Sequence, residues 1–293
     1  MSGTTGQKPT KSLDTLVDDI YEKLECLSLG EPLNIPEDEL EKTIDGIREC
    51  LIHWSQPTKR NRSFSIRMSN VGRPPRLLWF EKNSDTVSNP SPSTQIKFLY
   101  GHLLEEIVLM LVRLSGHHVT GEQKEARVGD IKGSMDSIID GEVVDIKTAS
   151  KFAFNKFRFG TLAENDSFGY LAQLACYEHS EGTENGGFLV INKESGELCL
   201  FRPDDMDKPN IEQRIKYVTE AVNSDEMPPI CYEPVADGKK GNMKLAKGCT
   251  WCSYKHECFK DSNDGQGLRA FKYANGITYF TEIVAEPNVE EIL

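Results

Sequence analysis

Apolar positions recur at helical spacing in some stretches of this chain and in short strand-like runs in others. Leu13, Leu16, Val17, Ile20 and Leu24 repeat every three or four residues, as do Leu40, Ile44, Ile47 and Leu51, and Pro32 and Pro36 part the two runs. Both predict amphipathic helices. A longer stripe, Leu103, Leu104, Ile107, Val108, Leu111 and Leu114, predicts a strong helix over 95–115. Strand-like stretches follow at 117–128, 131–139 and 142–148. After them come a helix over 167–180, a strand pair at 187–192 and 197–202, and a helix over 208–223. A last hairpin, RAFKYANGITYFTEI, turns at Asn275-Gly276.

One turn signal has chemical consequences. Asp140-Gly141 is a two-residue hairpin signal between strand-like runs. In such a hairpin, residues whose numbers sum to 281 face each other, and Asp136 and Asp145 are such a pair. Opposed residues share a face of the sheet, and Lys147, two beyond Asp145, joins them. The apolar residues around them, Met135, Ile138, Val144 and Ile146, do not fit one face, which predicts an interior strand pair covered on both sides. Two opposed carboxylates repel, and a cation relieves them. Carboxylates with water and phosphate oxygens are the ligand set Mg2+ prefers. A lysine beside them can position or deprotonate a water, or stabilise charge developing on a phosphate.

Composition narrows the setting. The 293 residues are 38% hydrophobic and 27% charged, an ordinary globular balance. No apolar run approaches the roughly 20 residues of a membrane span, and MSGTTGQKPTKS has no apolar core after its lysines, so a secretory signal is not expected. The expectation is a reducing cytosol, where eight cysteines suggest thiol chemistry or metal ligation more than disulfides. The net charge of −12 speaks against global attraction to nucleic acid, although a site for divalent cations must itself be acidic. Against this background, residues 59–82 are basic. Lys59, Arg60, Arg62, Arg67, Arg73 and Arg76 read either as a solvated loop or as a phosphate-contacting arm, with Phe64 and Trp79 as stacking surfaces.

The run Asp136…Asp145-Ile146-Lys147 resembles the core signature of the PD-(D/E)xK nuclease superfamily, with Met135 at the proline position. YGHLLEEIV upstream is similar to the helix that supplies a further metal ligand in RecB-type members, which implies Glu105, or His102 one turn earlier. YLAQLACYE downstream resembles the Q-x-x-x-Y motif of that branch and implies that Gln173 and Tyr177 help orient the DNA and the active site. The resemblance implies an α/β fold, a mixed central sheet flanked by helices (a restriction-endonuclease-like core). It also implies that Asp136, Asp145, Glu105 and the Ile146 carbonyl hold Mg2+ or Mn2+.

Cys249, Cys252 and Cys258 form a C-x2-C-x5-C pattern that is hard to explain as core packing. It resembles the C-terminal end of the AddB-like iron–sulfur nucleases, whose fourth cysteine lies just before a stretch like PPRLLWF. Here that position is Pro74, and Cys231 is the nearest replacement. Four local cysteines suit a structural zinc site, with a [4Fe-4S] cluster as the alternative.

These readings divide the chain into a polar tail and acidic helical extension (1–57), a nuclease core with its basic arm (58–230), a cysteine metal segment (231–262) and a C-terminal hairpin and tail (263–293). The implied function is a Mg2+-dependent DNA exonuclease, similar to the stand-alone enzymes phages use in DNA degradation, recombination or repair. It would act in the cytoplasm, the host's if phage-encoded, on DNA and not on membranes, as a homo-oligomer or beside a recombination or replication protein. Lys151, Lys156 and Arg158 follow the motif and read equally as phosphate contacts or surface charges. The competing readings are an inactive DNA-binding module of the same fold and a metalloprotein that matches the motif by accident.

Overall fold

The computed structural model describes residues 11–56, 64–86 and 90–292. Its helices are α1 (Leu16–Ser28), α2 (Glu37–Ser55), α3 (Pro75–Asn83), α4 (Pro92–Leu114), α5 (Lys151–Arg158), α6 (Tyr170–Glu181), α7 (Ile211–Asn223), α8 (Lys247–Thr250) and α9 (Lys255–Cys258). The strands are β1 (Val119–Thr120), β2 (Lys124–Val128), β3 (Ile131–Met135), β4 (Ser137–Ile139), β5 (Glu142–Ala149), β6 (Gly187–Asn192), β7 (Leu198–Phe201), β8 (Val235–Ala236), β9 (Met243–Lys244), β10 (Arg269–Tyr273) and β11 (Gly276–Glu282). They fall into two compact units, residues 11–56, 66–72 and 90–215 in the first and residues 64–65, 73–86 and 216–292 in the second.

The first unit is a mixed α/β layer structure. Its sheet runs in the order β1-β4-β5-β6-β7, with β5 and β6 parallel and the other pairs antiparallel. Alternation along β5 sends Val144 and Ile146 to one face, where they pack with Leu16 and Ile20 of α1 and Val108, Leu109 and Val112 of α4. Val143 and Ala149 go to the other face, among Phe154 and Phe157 of α5 and Leu171, Leu174 and Cys176 of α6. Both faces of the central strand are therefore covered, as the mixed apolar pattern requires.

The hairpin at Asp140-Gly141 has the expected register. Ser137 pairs with Val144, Ile138 with Val143 and Ile139 with Glu142. Asp140 and Gly141 take φ +52° and +94°, the left-handed pair that a type I′ turn needs.

The preceding stretches are more broken than the pattern predicts. The run 117–128 splits into β1 and β2 around a turn at Gly121, and 131–139 splits at Asp136. On one side of that break β3 pairs with β2 in a separate two-stranded sheet, and on the other β4 joins the main sheet. Asp136 thus stands where the chain passes from one sheet to the other. Cys26 and Cys50 are half-buried.

In the second unit, β10-β11-β9-β8 form an antiparallel sheet over Leu245, Cys249 and Leu268. The β10–β11 loop is Ala274-Asn275, one residue earlier than expected, since Tyr273 pairs with Gly276. This register buries Ala270, Phe271 and Phe280 together, and strand faces outweigh the turn dipeptide. The end of the basic stretch is a helix rather than an open arm. Pro75 opens α3 at its first position, where its fixed φ suits a helix start, and Leu78 and Phe80 are buried. Among the described residues no helix is long and apolar enough to cross a membrane.

Candidate active site

The site of the first unit is built where β3, β4 and β5 meet the middle of α4. Asp136 lies at the sheet crossing, and its Oδ2 accepts the Ile146 N–H at 2.9 Å, which fixes the carboxylate against β5. Asp145 is 1% exposed, and Lys147 Nζ is in ion-pair contact with its Oδ2. Neither carboxylate oxygen of Asp145 has a hydrogen-bond partner of ordinary geometry. One ammonium therefore stands against the charge of Asp145 and of the carboxylates around it, and burying that excess of negative charge is costly.

Electrostatics agree with that excess. Burial, and then the charges of Asp136 and Asp145, push the Glu105 carboxyl up to about 8. Burial and then Asp145 push Asp136 up to about 7. Burial opposes the charge on Lys147, but Asp145 and Asp136 outweigh it, so its pKa rises and it stays an ammonium. The ensemble is an acidic cluster with one cation held inside it.

On α6, Gln173 Nε2 donates to the Tyr177 hydroxyl at 3.2 Å, and that hydroxyl donates to the Ser134 carbonyl at 2.6 Å. Burial raises the Tyr177 phenol, so it remains a donor. The pair grips β3 two residues before Asp136, which makes these residues supports for the acid. Gly133, beside them, has no room for a Cβ, which would meet Met68 and the Tyr177 ring within 3 Å. His102 is exposed and stands outside the hydrogen bonds that tie Glu105 to the strands.

In the second unit, Cys231, Cys249, Cys252 and Cys258 line one cavity of about 20 Å³. Burial lifts the Cys231 thiol to about 11 and Cys249 to about 12, and the neighbouring cysteines add to both shifts. Arg76 Nε donates to Cys258 Sγ at 3.0 Å and Nη1 donates to the Pro228 carbonyl at 2.7 Å. The guanidinium named as a phosphate contact is thus engaged at the cysteines. Among the described residues no three His, Cys, Asp or Glu side chains already stand at metal-binding distance. That holds for Glu105, Asp136 and Asp145 as for the cysteines, and what the four cysteines share is the lining of one cavity.

The remaining basic candidates are dispersed. Arg60 and Arg62, with Lys59, lie outside the described residues. Arg67 is exposed, and Arg73 lies 3.4 Å from Glu81. Trp79 packs edge-on against Phe80 and donates to the Ser224 carbonyl, half-buried. On α5, Lys151 is exposed, Lys156 Nζ donates to the Asn165 carbonyl at 2.8 Å, and Arg158 pairs with Glu197 at 3.0 Å.

No family model and none of the curated proteins matches the chain. Among solved structures it is similar to the crystal structure of SSO0001, at 17% identity over 72% of this chain and 93% of that one, with a TM-score of 0.39. It is also similar to an alkaline exonuclease, LHK-Exo, from Laribacter hongkongensis. There the identity is 14%, the cover 55% of this chain and 89% of that one, and the TM-score 0.39. LHK-Exo in complex with dAMP gives 13% identity, the same cover and a TM-score of 0.36.

Two polar residues of the first unit have no counterpart in the sequence reading. Gln123 donates from Nε2 to Glu105 Oε1 at 2.7 Å and accepts from Ser134 Oγ at 2.9 Å, and its backbone N–H reaches the Asp136 carbonyl at 3.3 Å. It holds φ +52°, a left-handed conformation that costs a non-glycine residue about 1 kcal/mol. Only Gly121, two residues earlier, signals a turn there. His117 is the second, with a buried ring between Asp140, at 2.6 Å from Nδ1, and Asp19, at 3.0 Å from Nε2. A lone histidine after a helix carries no sequence mark of such a bridge.

Proposed function

We propose that this chain is a metal-dependent deoxyribonuclease that hydrolyses phosphodiester bonds in DNA. The observation that supports the reading is the gathering of three carboxylates, Glu105, Asp136 and the buried Asp145, around the single ammonium of Lys147, which is in ion-pair contact with Asp145. An acidic cluster whose carboxyls are pushed up by burial and then by mutual repulsion is fitted to a divalent cation with oxygen ligands. Glu105, Asp136, Asp145 and the Ile146 carbonyl would hold Mg2+ or Mn2+. When bound, such an ion polarises a phosphate oxygen and makes water acidic enough to attack at neutral pH.

The chain's own groups supply the rest. Lys147, held as an ammonium, is a donor and not a base, so its task is to orient the attacking water or to stabilise charge on the phosphate. Tyr177 and Gln173 fix the end of β3 and so the approach of Asp136. The Arg60, Arg62 and Arg67 arm, and Lys151, Lys156 and Arg158 on α5, are the candidates for phosphate contacts. Removal of nucleotides from DNA ends, in DNA degradation, recombination or repair, is the role we assign.

For the second unit we propose a structural zinc ion on Cys231, Cys249, Cys252 and Cys258. Four soft donors around one cavity match zinc's tetrahedral preference.

End-labelled single-stranded and duplex DNA, incubated with Mg2+, with Mn2+ and with EDTA, tests the proposal. Release of nucleotides only with the metals supports it. Binding without cutting under every metal condition would make the chain an inactive DNA-binding module.

A further inference from the structure

Phe168 lies on the loop before α6 with its ring 60% exposed, and that loop is held firmly. The Asp166 carboxylate accepts the N–H groups of Gly169, Tyr170 and Leu171 at 2.9–3.0 Å. Lys156 Nζ ties down the Asn165 carbonyl. Gly169 takes φ +76° and packs so closely on Gly72 that a Cβ at Gly72 would meet its backbone at 2.5 Å. An exposed phenylalanine alone needs no explanation. This one is stacked on Tyr170, centroids 5.4 Å apart and planes 16° apart, and Lys147 Nζ lies 5.0 Å from the centre of the Tyr170 ring. A continuous contact therefore runs from the catalytic lysine to an aromatic ring at the surface.

The neighbourhood suits a polyanion with flat bases. On α5 and at its C-terminal cap, Phe152 and Phe159 are 62% and 69% exposed and interleave with Lys151, Lys156 and Arg158, and Lys156 Nζ sits 5.7 Å over the Phe152 ring. Cations alternating with exposed rings are the composition of a single-strand nucleic-acid surface, where bases stack on aromatic faces and phosphates meet lysine or arginine. Stacked single strands rise about 3.4 Å per nucleotide. The two contacts from Lys147 to Phe168, 5.0 Å and 5.4 Å, together reach at most about three nucleotides.

Resting on the nuclease reading above, we infer that Phe168, backed by Tyr170, is a stacking platform for an unpaired base of the DNA strand within about three nucleotides of the phosphate at Lys147. The substrate it selects is a single-stranded or frayed DNA end, because a paired base keeps both faces inside the duplex.

The test uses the full chain with Ca2+ in place of Mg2+ and fluorescein-labelled single-stranded oligonucleotides. Each stacked base is worth about 1–3 kcal/mol, so Phe168→Ala should weaken binding about 5- to 100-fold. Phe168→Leu should behave like Phe168→Ala, and Phe168→Trp should bind within about twofold of wild type, as stacking and not bulk requires. An abasic site walked along the oligonucleotide should find one position where wild type loses as much as Phe168→Ala and the variant loses nothing further. Thermal melting should be unchanged in all three variants. Equal affinity of Phe168→Ala and wild type, or a loss insensitive to every abasic position, overturns the platform while leaving the nuclease reading intact. A wild-type chain that binds no DNA overturns both. A positive result in a chain whose cleavage ignores Lys147→Ala keeps the platform and removes the catalytic assignment.

Discussion

Asp136→Asn removes one charge from the acidic cluster while keeping an oxygen that can accept the Ile146 N–H. Glu105 and Asp136 sit at about 8 and about 7 in the folded chain, above their unfolded values near 4. The folded state therefore binds more protons than the unfolded state between about pH 4 and pH 8, and metal-free stability must fall as pH rises through that window. One unit corresponds to about 1.4 kcal/mol, so Asp136 withholds at most about 4 kcal/mol by pH 8. If only half of that is realised, about 2 kcal/mol, Asp136→Asn should melt about 4–8 °C above wild type at pH 8 in EDTA. At pH 5, where Asp136 is protonated in the folded wild type, the two should nearly coincide. Saturating Mn2+ should reverse the order at pH 8, since wild type gains stability from binding and the variant gains little. Thermal denaturation at pH 5 and pH 8, with EDTA and with Mn2+, measures all four cases. A variant less stable than wild type at pH 8 in EDTA, or parallel pH dependences, would refute the reasoning.

Three further outcomes follow from residues already placed. Gln123→Gly relieves a left-handed backbone but loses the bonds to Glu105 and Ser134, so its melting temperature should stay close to wild type while Mn2+ affinity falls about 10- to 100-fold; isothermal titration checks this, and unchanged affinity speaks against a positioning role. Protein purified without oxygen should carry about one zinc per chain by elemental analysis, and Cys249→Ser with Cys252→Ser should lose it; four irons with sulfide would replace zinc by a cluster. His117→Ala leaves Asp140 without its imidazole partner and should cost about 3 kcal/mol in urea unfolding; a cost under about 0.5 kcal/mol would mean that the bridge holds nothing.

The legible parts of the fold were those fixed by local rules. Asp140-Gly141 set the register of β4 and β5, which ends at Ser137 opposite Val144, and the bond from the Ile146 N–H then holds Asp136 beside β5. The residues 187–192 came out as β6 because a buried strand is a continuous apolar run bounded by turn residues. The α3 helix was hidden because its first turn is proline- and arginine-rich, and composition there spoke for a loop. The break at Asp136 was hidden because the Gly129-Asp130 turn fixes the hairpin of β2 and β3 but does not mark where β3 ends. Gln123 and His117 were invisible for another reason. Their roles depend on partners 11 to 98 residues away, brought together only by the fold. Arg76 had the charge of a phosphate contact, and only the packed cysteine cavity shows where its guanidinium goes.

The central claim is that Asp136, Asp145 and Lys147 form one catalytic centre served by a divalent metal. Single-turnover cleavage of an end-labelled linear DNA by wild type and Lys147→Ala, at saturating Mg2+, tests it most directly. Positioned acid–base or donor groups contribute about 10²–10⁴ in rate. The account requires Lys147→Ala to lose at least a hundredfold in the cleavage step while binding DNA and Mn2+ nearly as well as wild type. A variant that cuts at the wild-type rate, or a wild type that cuts equally well in EDTA, would contradict it.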